Sequence, residues 1–254
     1  MRSQTMKISV PSKVAEVTLA FWIMKIFATT LGETGGDAVS MSLNLGYLVG
    51  TVIFAVLFAI AVAAQIKAER FHPILYWVTI VATTTVGTTL ADFADRSLGI
   101  GYAGGSLLLL ALLLASFFAW HRTLGTVAIE NVNSPSAEAF YWVTIMFSQT
   151  LGTALGDWTA SSANLGYVGA MLIFGSLLAI VAGLYFWSRI SHTLLFWAAF
   201  VLTRPLGAVL GDFLDKPIAE GGLALSRFAA SAVLVGLIAL CLVVFPQRAA
   251  QRTH

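Results

Sequence analysis

The chain has 254 residues, of which 58% are hydrophobic and 10% are charged, and its mean hydropathy is +0.87. Soluble domains carry roughly 25% charged residues, so the composition excludes an ordinary soluble protein and indicates a polytopic membrane protein. The formal charge of +2 gives no reason to expect a nucleic-acid partner. The single cysteine, Cys241, excludes an intrachain disulfide.

Eight apolar runs are long enough to cross a bilayer as helices, which takes about 20 residues. They lie, in chain order, near 14–35, 45–66, 73–91, 100–120, 138–156, 165–187, 193–211 and 224–245. The runs are continuously apolar and do not alternate with period two, which favours helices over a β-barrel. The N-terminal segment with Arg2, Lys7 and Lys13 lacks a small-residue cleavage site, so we interpret it as the start of the first span.

The distribution of cations predicts the orientation of these spans. Nine cations fall on the side shared by both termini: Arg2, Lys7, Lys13, Lys67, Arg70, Arg122, Arg189, Arg248 and Arg252. The opposite side carries Arg96, Lys216 and Arg227. The positive-inside rule therefore predicts cytoplasmic termini.

A tryptophan is followed fifteen residues later by an aspartate four times: Trp22/Asp37, Trp77/Asp92, Trp142/Asp157 and Trp197/Asp212. Each aspartate follows a Gly-x-x-x-(Gly/Ala) motif, which begins at Gly32, Gly87, Gly152 or Gly207. The spacing between the aspartates indicates a duplicated unit of two repeats. The sequence thus predicts an all-α protein of four tandem two-helix repeats in two similar halves, residues 1–125 and 126–254. Because each repeat has an even number of spans, we expect pseudo-symmetry about the membrane normal.

With these tryptophans and Gly-x-x-x-small-Asp ends, the chain resembles a family of bacterial multi-pass membrane proteins built from four two-helix repeats of unknown function. The resemblance covers about Glu16 to Phe245. It implies a topology, and with the charge bias it places the protein in a bacterial inner membrane with both termini cytoplasmic. It implies no particular chemistry, so the function must be argued from the residues.

The residues 12, 8 and 4 positions before each aspartate lie along one stripe of the helix surface. Each step of four residues turns the helix only about 40° beyond one full turn. If the four copies surround a common axis, these stripes form layers. One layer is Thr29, Thr84, Gln149 and Arg204, the next is Glu33, Thr88, Thr153 and Ala208, and the last is the ring of Asp37, Asp92, Asp157 and Asp212. The sequence therefore predicts a polar cavity that opens toward the periplasm.

Lys25, Glu33 and Arg204 are the strongest functional candidates, because a charge inside a span costs at least about 2.5–3.5 kcal/mol and normally faces a cavity or a partner. Simpler explanations stay open. Glu33 and Arg204 could only neutralise each other as a buried ion pair. The glycines could serve helix packing alone, and the tryptophans are assigned a structural role.

Carboxylates and threonine hydroxyls offer hard oxygen ligands, which suit H⁺, Mg²⁺, Ca²⁺ or Mn²⁺. The leading hypothesis is a transporter or channel-like permease for an inorganic cation, preferably a divalent metal such as Mn²⁺ or Mg²⁺, with proton coupling as an option. Its expected metal ligands are Glu33, Asp37, Asp92, Asp157 and Asp212, and its expected transport or gating residues are Lys25, Thr29, Thr84, Gln149 and Arg204.

Two alternatives remain. Lys25 and Arg204 could bind a small anion or a carboxylate metabolite, or the protein could be a membrane scaffold or sensor subunit. No set of nucleophile, base and orienting group is recognisable, so neither an enzyme nor a cofactor is expected. The expected partners are the lipid bilayer and a small inorganic ion, and the sequence leaves a homo-oligomer open.

Overall fold

The fold is known from a computed structural model, which describes residues 11–163 and 165–251. Eight α-helices cover these residues: α1 (Leu19–Asp37), α2 (Gly46–Lys67), α3 (Pro73–Asp92), α4 (Tyr102–Leu124), α5 (Pro135–Asp157), α6 (Gly166–Trp187), α7 (His192–Asp215) and α8 (Arg227–Val244). The predicted all-α architecture of eight helices is confirmed. The expected division between the halves falls at Gly125, which ends α4 in the left-handed conformation (φ 75°).

Several helix boundaries differ from the prediction. The first helix begins at Leu19 instead of residue 14, because Thr18 caps it by accepting a hydrogen bond from the Phe21 amide. The residues before it are held by other segments: the Lys13 amide donates to the Val132 carbonyl at 2.8 Å, and the Glu16 amide donates to the Arg248 carbonyl at 2.9 Å. The seventh helix continues past its motif to Asp215.

The four odd-numbered helices form a closed ring in which α1 contacts α3, α3 contacts α5, α5 contacts α7, and α7 returns to α1. Each even-numbered helix lies outside this ring and packs on the odd helix of the following repeat: α2 on α3, α4 on α5, α6 on α7 and α8 on α1. The odd helices are therefore the interior of the bundle.

Burial and hydropathy fit a membrane location. Six of the described helices are long and apolar enough to cross a bilayer, and the two that fall short are α1 and α5. In an 18-residue apolar stretch of α3, 67% is buried inside the protein, whereas the corresponding stretch of α2 is only 11% buried. Polar residues are tolerated in α1 and α5 because these helices contact neighbouring helices instead of lipid. The chain is a membrane protein.

Glycines of the repeated motif allow the ring to close. Gly32 packs on Thr84, Gly87 on Gln149, Gly152 on Arg204 and Gly207 on Thr29, so each glycine contacts the next odd helix. An added methyl group at Gly32 would lie 2.5 Å from the Thr84 side chain, and one at Gly87 would lie 3.0 Å from the Gln149 backbone. Small residues of this kind let helix backbones approach closely in membranes.

An aromatic floor closes the ring at the end opposite the aspartates. It consists of Phe21, Tyr76, Tyr141 and Phe196, each sixteen residues before an aspartate. The hydroxyl oxygens of Tyr76 and Tyr141 are hydrogen-bonded at 2.7 Å. Trp197 packs on this floor and donates to the Val127 carbonyl at 2.9 Å. These contacts support the structural role expected of the tryptophans, and we call this end of the bundle the tryptophan end.

Candidate functional site

Arg204 lies in the middle of the ring and is 0% exposed. Its guanidinium donates hydrogen bonds to the Thr29 carbonyl at 2.9 Å, the Gln149 carbonyl at 3.2 Å, the Thr88 and Thr153 hydroxyls at 2.5 Å each, and Glu33 Oε2 at 3.0 Å. These partners belong to α1, α3 and α5, so one side chain of α7 contacts every other helix of the ring. The structure brings the predicted layers together around a common axis.

Glu33 is the carboxylate partner of Arg204. It is 2% exposed, and its Oε2 accepts hydrogen bonds from Arg204 and from the Thr88 hydroxyl at 3.2 Å. The buried ion pair that was expected as the simpler explanation is therefore present. Its existence does not exclude function, because a buried pair is weak evidence for stability alone.

The four aspartates lie at the opposite end from the aromatic floor, which we call the aspartate end. They are clamped in two pairs by basic residues. Lys216 Nζ lies 2.5 Å from Asp37 Oδ2 and 3.1 Å from Asp212 Oδ1, an arrangement we name the Lys216 clamp. Arg96 lies 3.0 Å from Asp92 and 3.1 Å from Asp157, the Arg96 clamp.

Both clamps cross from one half of the sequence to the other. The Arg96 clamp joins α3 to α5, and the Lys216 clamp joins α7 to α1. Each cation follows its own aspartate by four residues, the spacing at which side chains meet on a helix. The sequence shows this spacing, but it does not show that each cation also contacts an aspartate on a second helix. Arg227 was also missed: it contacts Asp215 at 2.9 Å and Asp37 at 3.8 Å.

The expected polar cavity is not open in the structure. The aspartates are only 0–6% exposed, because Lys216, Arg96 and Arg227 cover them and neutralise part of their charge. The prediction of an open cavity is therefore wrong for this conformation. The polar layers are closed at one end by the two clamps and at the other by the aromatic floor.

Three of the five predicted metal ligands lie together. One carboxylate oxygen each of Glu33, Asp37 and Asp212 lies within 4.8 Å of the other two, and all three residues are buried. We call this group the carboxylate triad. A divalent cation with oxygens at about 2.0–2.6 Å joins oxygens up to about 4–5 Å apart, so the triad fits one ion. Asp92 and Asp157 belong to the Arg96 clamp instead.

Lys25 differs from Arg204 in having no polar partner. It is 0% exposed, its Nζ has no hydrogen-bond partner in the described part of the chain, and it lies 4.0 Å from the centre of the Phe200 ring. The Thr84 hydroxyl and the Gln149 side-chain amide, from the layer of Arg204, also lack partners among the described residues. Of the predicted transport or gating residues, the Thr29 hydroxyl is satisfied by carbonyls of its own helix.

The charges at the aspartate end do not balance. Within the described residues, the ion pairs of this end involve six carboxylates, Glu33, Asp37, Asp92, Asp157, Asp212 and Asp215, and four cations, Arg96, Arg204, Lys216 and Arg227. With all groups ionised, two negative charges are left over. Uncompensated buried charge is costly, and either one divalent cation or two protons would remove the excess.

Comparisons with known proteins identify the repeat but no activity. No curated protein and no solved structure matches the chain. A family described as Repeat of Unknown Function (DUF347) matches four segments, residues 20–71, 75–126, 140–191 and 195–248. Each segment contains one odd helix and the even helix that follows it. The matched segments cover most of the sequence, and the chain belongs to this family of tandem two-helix membrane repeats.

Proposed function

We propose that the protein transports an inorganic cation across a bacterial inner membrane, with a divalent metal such as Mn²⁺ or Mg²⁺ as its cargo. In this proposal the carboxylate triad is the binding site. Both termini lie in the cytoplasm, as the cation bias predicts, and the aspartate end faces the periplasm.

The carboxylate triad is the observation that carries the proposal. Its three oxygens lie at a separation that one ion can bridge, and they belong to a buried cluster with two negative charges in excess. Asp37 Oδ1 has no hydrogen-bond partner among the described residues, whereas Asp212 Oδ1 contacts the Lys216 ammonium at 3.1 Å. Hard carboxylate oxygens without thiolate or imidazole favour Mg²⁺, Ca²⁺ or Mn²⁺ over softer metals.

Closure at both ends favours a carrier over an open channel. The Lys216 clamp covers the triad on one side, and the Tyr76–Tyr141 hydrogen bond joins α3 to α5 at the aromatic floor on the other. Transport then requires that the two ends open in turn, as in carriers whose binding site lies between similar halves. Both clamps join the two halves, and so do the contacts of Arg204 with Thr29, Thr88 and Glu33; these are the contacts that opening would break.

Glu33 is the expected coupling group, because it belongs to the triad and is also the carboxylate partner of Arg204. If a proton replaces the metal on Glu33, it supplies one of the two positive charges that the metal carried. Exchange of two protons for one divalent ion would keep the buried cluster neutral in both directions.

Flux into proteoliposomes tests the proposal, with entrapped calcein reporting Mn²⁺ entry by quenching. We expect Glu33→Gln to abolish Mn²⁺ uptake or its pH dependence, and Asp37→Asn to raise the apparent KM. Glu220→Gln is the control, since it removes an exposed carboxylate near the same end. No flux by the wild-type protein would refute this function, and unaltered flux in a well-folded Glu33→Gln variant would end the case for Glu33 as a transport residue.

Lys25 supports a second candidate, the transport of a small anion. Arg204 is a poor anion ligand, because each of its guanidinium nitrogens already donates to a carbonyl, a hydroxyl or Glu33. Lys25 Nζ has no such partner among the residues that the structure describes. Acetate or chloride flux that is lost in Lys25→Met but kept in Asp37→Asn would favour this candidate. A scaffold or sensor would show no flux of any ion and a thermal stability independent of ions.

A further inference from the structure

We propose that the Lys216 ammonium is a tethered competitor for the transported metal: it occupies two of the three triad carboxylates in the closed state and leaves when the divalent cation binds. This inference rests on the proposed function and specifies how the same site is regulated and made selective.

The position of Lys216 is the first argument. Its Nζ contacts Asp37 and Asp212, and both of these aspartates belong to the triad with Glu33. A lysine ammonium is a compact point charge, so it can stand where a metal ion would bind. Burial alone would lower the pKa of Lys216, but Asp212 and Asp37 outweigh this effect and raise the pKa above its usual value. Lys216 therefore stays cationic.

The backbone around Lys216 is fixed, so its release needs only a side-chain movement. The Ala224 amide donates to the Lys216 carbonyl at 2.9 Å, and the Leu223 amide donates to the Phe213 carbonyl at 2.8 Å. These bonds fold the segment after α7 back on the helix end. The flexible four-carbon side chain of lysine can swing without breaking them.

Asp215 offers the displaced ammonium a second position. One of its oxygens contacts Arg227 at 2.9 Å, whereas its other oxygen, Oδ1, has no hydrogen-bond partner among the described residues. It is the residue directly before Lys216. A carboxylate beside the clamp would reduce the cost of moving the lysine off the triad.

Competition with an ammonium group favours divalent over monovalent cations. Once displaced to Asp215, Lys216 still belongs to the cluster of six carboxylates and four cations, so Na⁺ or K⁺ at the triad removes only one of the two excess negative charges. Mn²⁺ or Mg²⁺ at the triad removes both. The clamp is therefore expected to exclude the more abundant monovalent ions.

The Arg96 clamp provides a matched comparison within the same molecule. Arg96 also bridges two aspartates of neighbouring helices, with contacts of 3.0 and 3.1 Å. Its two aspartates have no third carboxylate at ligand spacing among the described residues. Removing Arg96 thus frees a carboxylate pair and removing Lys216 frees a triad.

Electron paramagnetic resonance of Mn²⁺ in the presence of purified wild-type, Lys216→Met and Arg96→Met proteins tests the competition. We expect Lys216→Met to bind Mn²⁺ about tenfold or more tightly than wild type, a difference that corresponds to about 1.4 kcal/mol. Arg96→Met should change the affinity by a much smaller factor. Equal Mn²⁺ affinity in wild type and Lys216→Met would overturn the competition.

A second measurement uses the wild-type protein and does not depend on how the variants fold. An acetylating reagent and mass spectrometry report the reactivity of Lys216, which is 8% exposed in the closed state. We expect Mn²⁺ to increase this acetylation several-fold and Na⁺ at equal ionic strength to leave it unchanged. Acetylation that is unaffected or reduced by bound Mn²⁺ would refute the displacement.

The two proposals can fail separately. If wild type binds Mn²⁺ but Lys216 stays protected, the site stands and the competition is wrong. If neither wild type nor Lys216→Met binds Mn²⁺, the carboxylate triad is not a metal site and both proposals fail.

Discussion

Replacing Arg204 by methionine is the most informative perturbation of the ring. The two carbonyls that Arg204 contacts lie on helices and keep their helical hydrogen bonds, so the main loss is the partner of Glu33. Removing one member of a buried ion pair costs about 3–5 kcal/mol. We expect the upper part of this range, because Asp37 and Asp212 lie within 4.8 Å of Glu33. At about 2–4 °C per kcal/mol for a chain of this size, the melting temperature should fall by roughly 8–20 °C.

Thermal unfolding in detergent can be followed through Cys241, the only cysteine of the chain, which is buried in α8. A thiol-reactive dye becomes fluorescent as Cys241 is exposed. The double variant Arg204→Met/Glu33→Gln is expected to be about 1–3 kcal/mol more stable than Arg204→Met alone, since it no longer strands a carboxylate. An Arg204→Met protein as stable as wild type, or additive losses in the double variant, would refute the pairing.

Two further outcomes test the packing and the orientation. Gly207→Ala should destabilise the protein by about 1–3 kcal/mol, because the added methyl group overpacks against Thr29. Gly236→Ala is the control: an added methyl group there would meet nothing within 4 Å, so the melting temperature should stay unchanged or rise. Equal effects of the two substitutions would place Gly207 outside the interface. In a Cys241→Ser background, Leu98→Cys and Glu220→Cys should react with a membrane-impermeant thiol reagent from the periplasm and Lys67→Cys should not; labelling of Leu98→Cys and Glu220→Cys from opposite sides would defeat the repeat topology.

Much of the architecture could be predicted because it depends on local patterns. Apolar runs of bilayer length predict the helices, and a four-residue period places Thr29, Thr84, Gln149 and Arg204 in one layer from the sequence alone. The same repeat carries a glycine three residues after each of them. The structure adds that each glycine contacts the next odd helix and that α7 returns to α1.

The closed state could not be predicted from the same patterns. The prediction of an open cavity assumed that the aspartates face water, but Lys216 and Arg96 each cross to a second helix and cover them. Whether a cation four residues from one aspartate also reaches another depends on the distance between helices, which the sequence does not contain. Arg227 contacts Asp37 from the start of α8 and has no local signal at all.

The charged residues are concentrated where the pseudo-symmetric ring closes. Duplication supplies four equivalent helix interfaces, and all four use the same glycine contact. Only the interface between α7 and α1 combines the Glu33–Arg204 pair, the Lys216 clamp and the contact of Lys25 with Phe200. At the positions equivalent to Lys25, the other repeats carry Ile80, Ile145 and Phe200, which are fully buried apolar side chains. A scaffold needs only the repeated contacts, whereas charges buried in a membrane interior are expensive. The Glu33–Arg204 pair, Lys25 and the Lys216 clamp share this one junction, which is the pattern expected of a functional site built on a structural repeat.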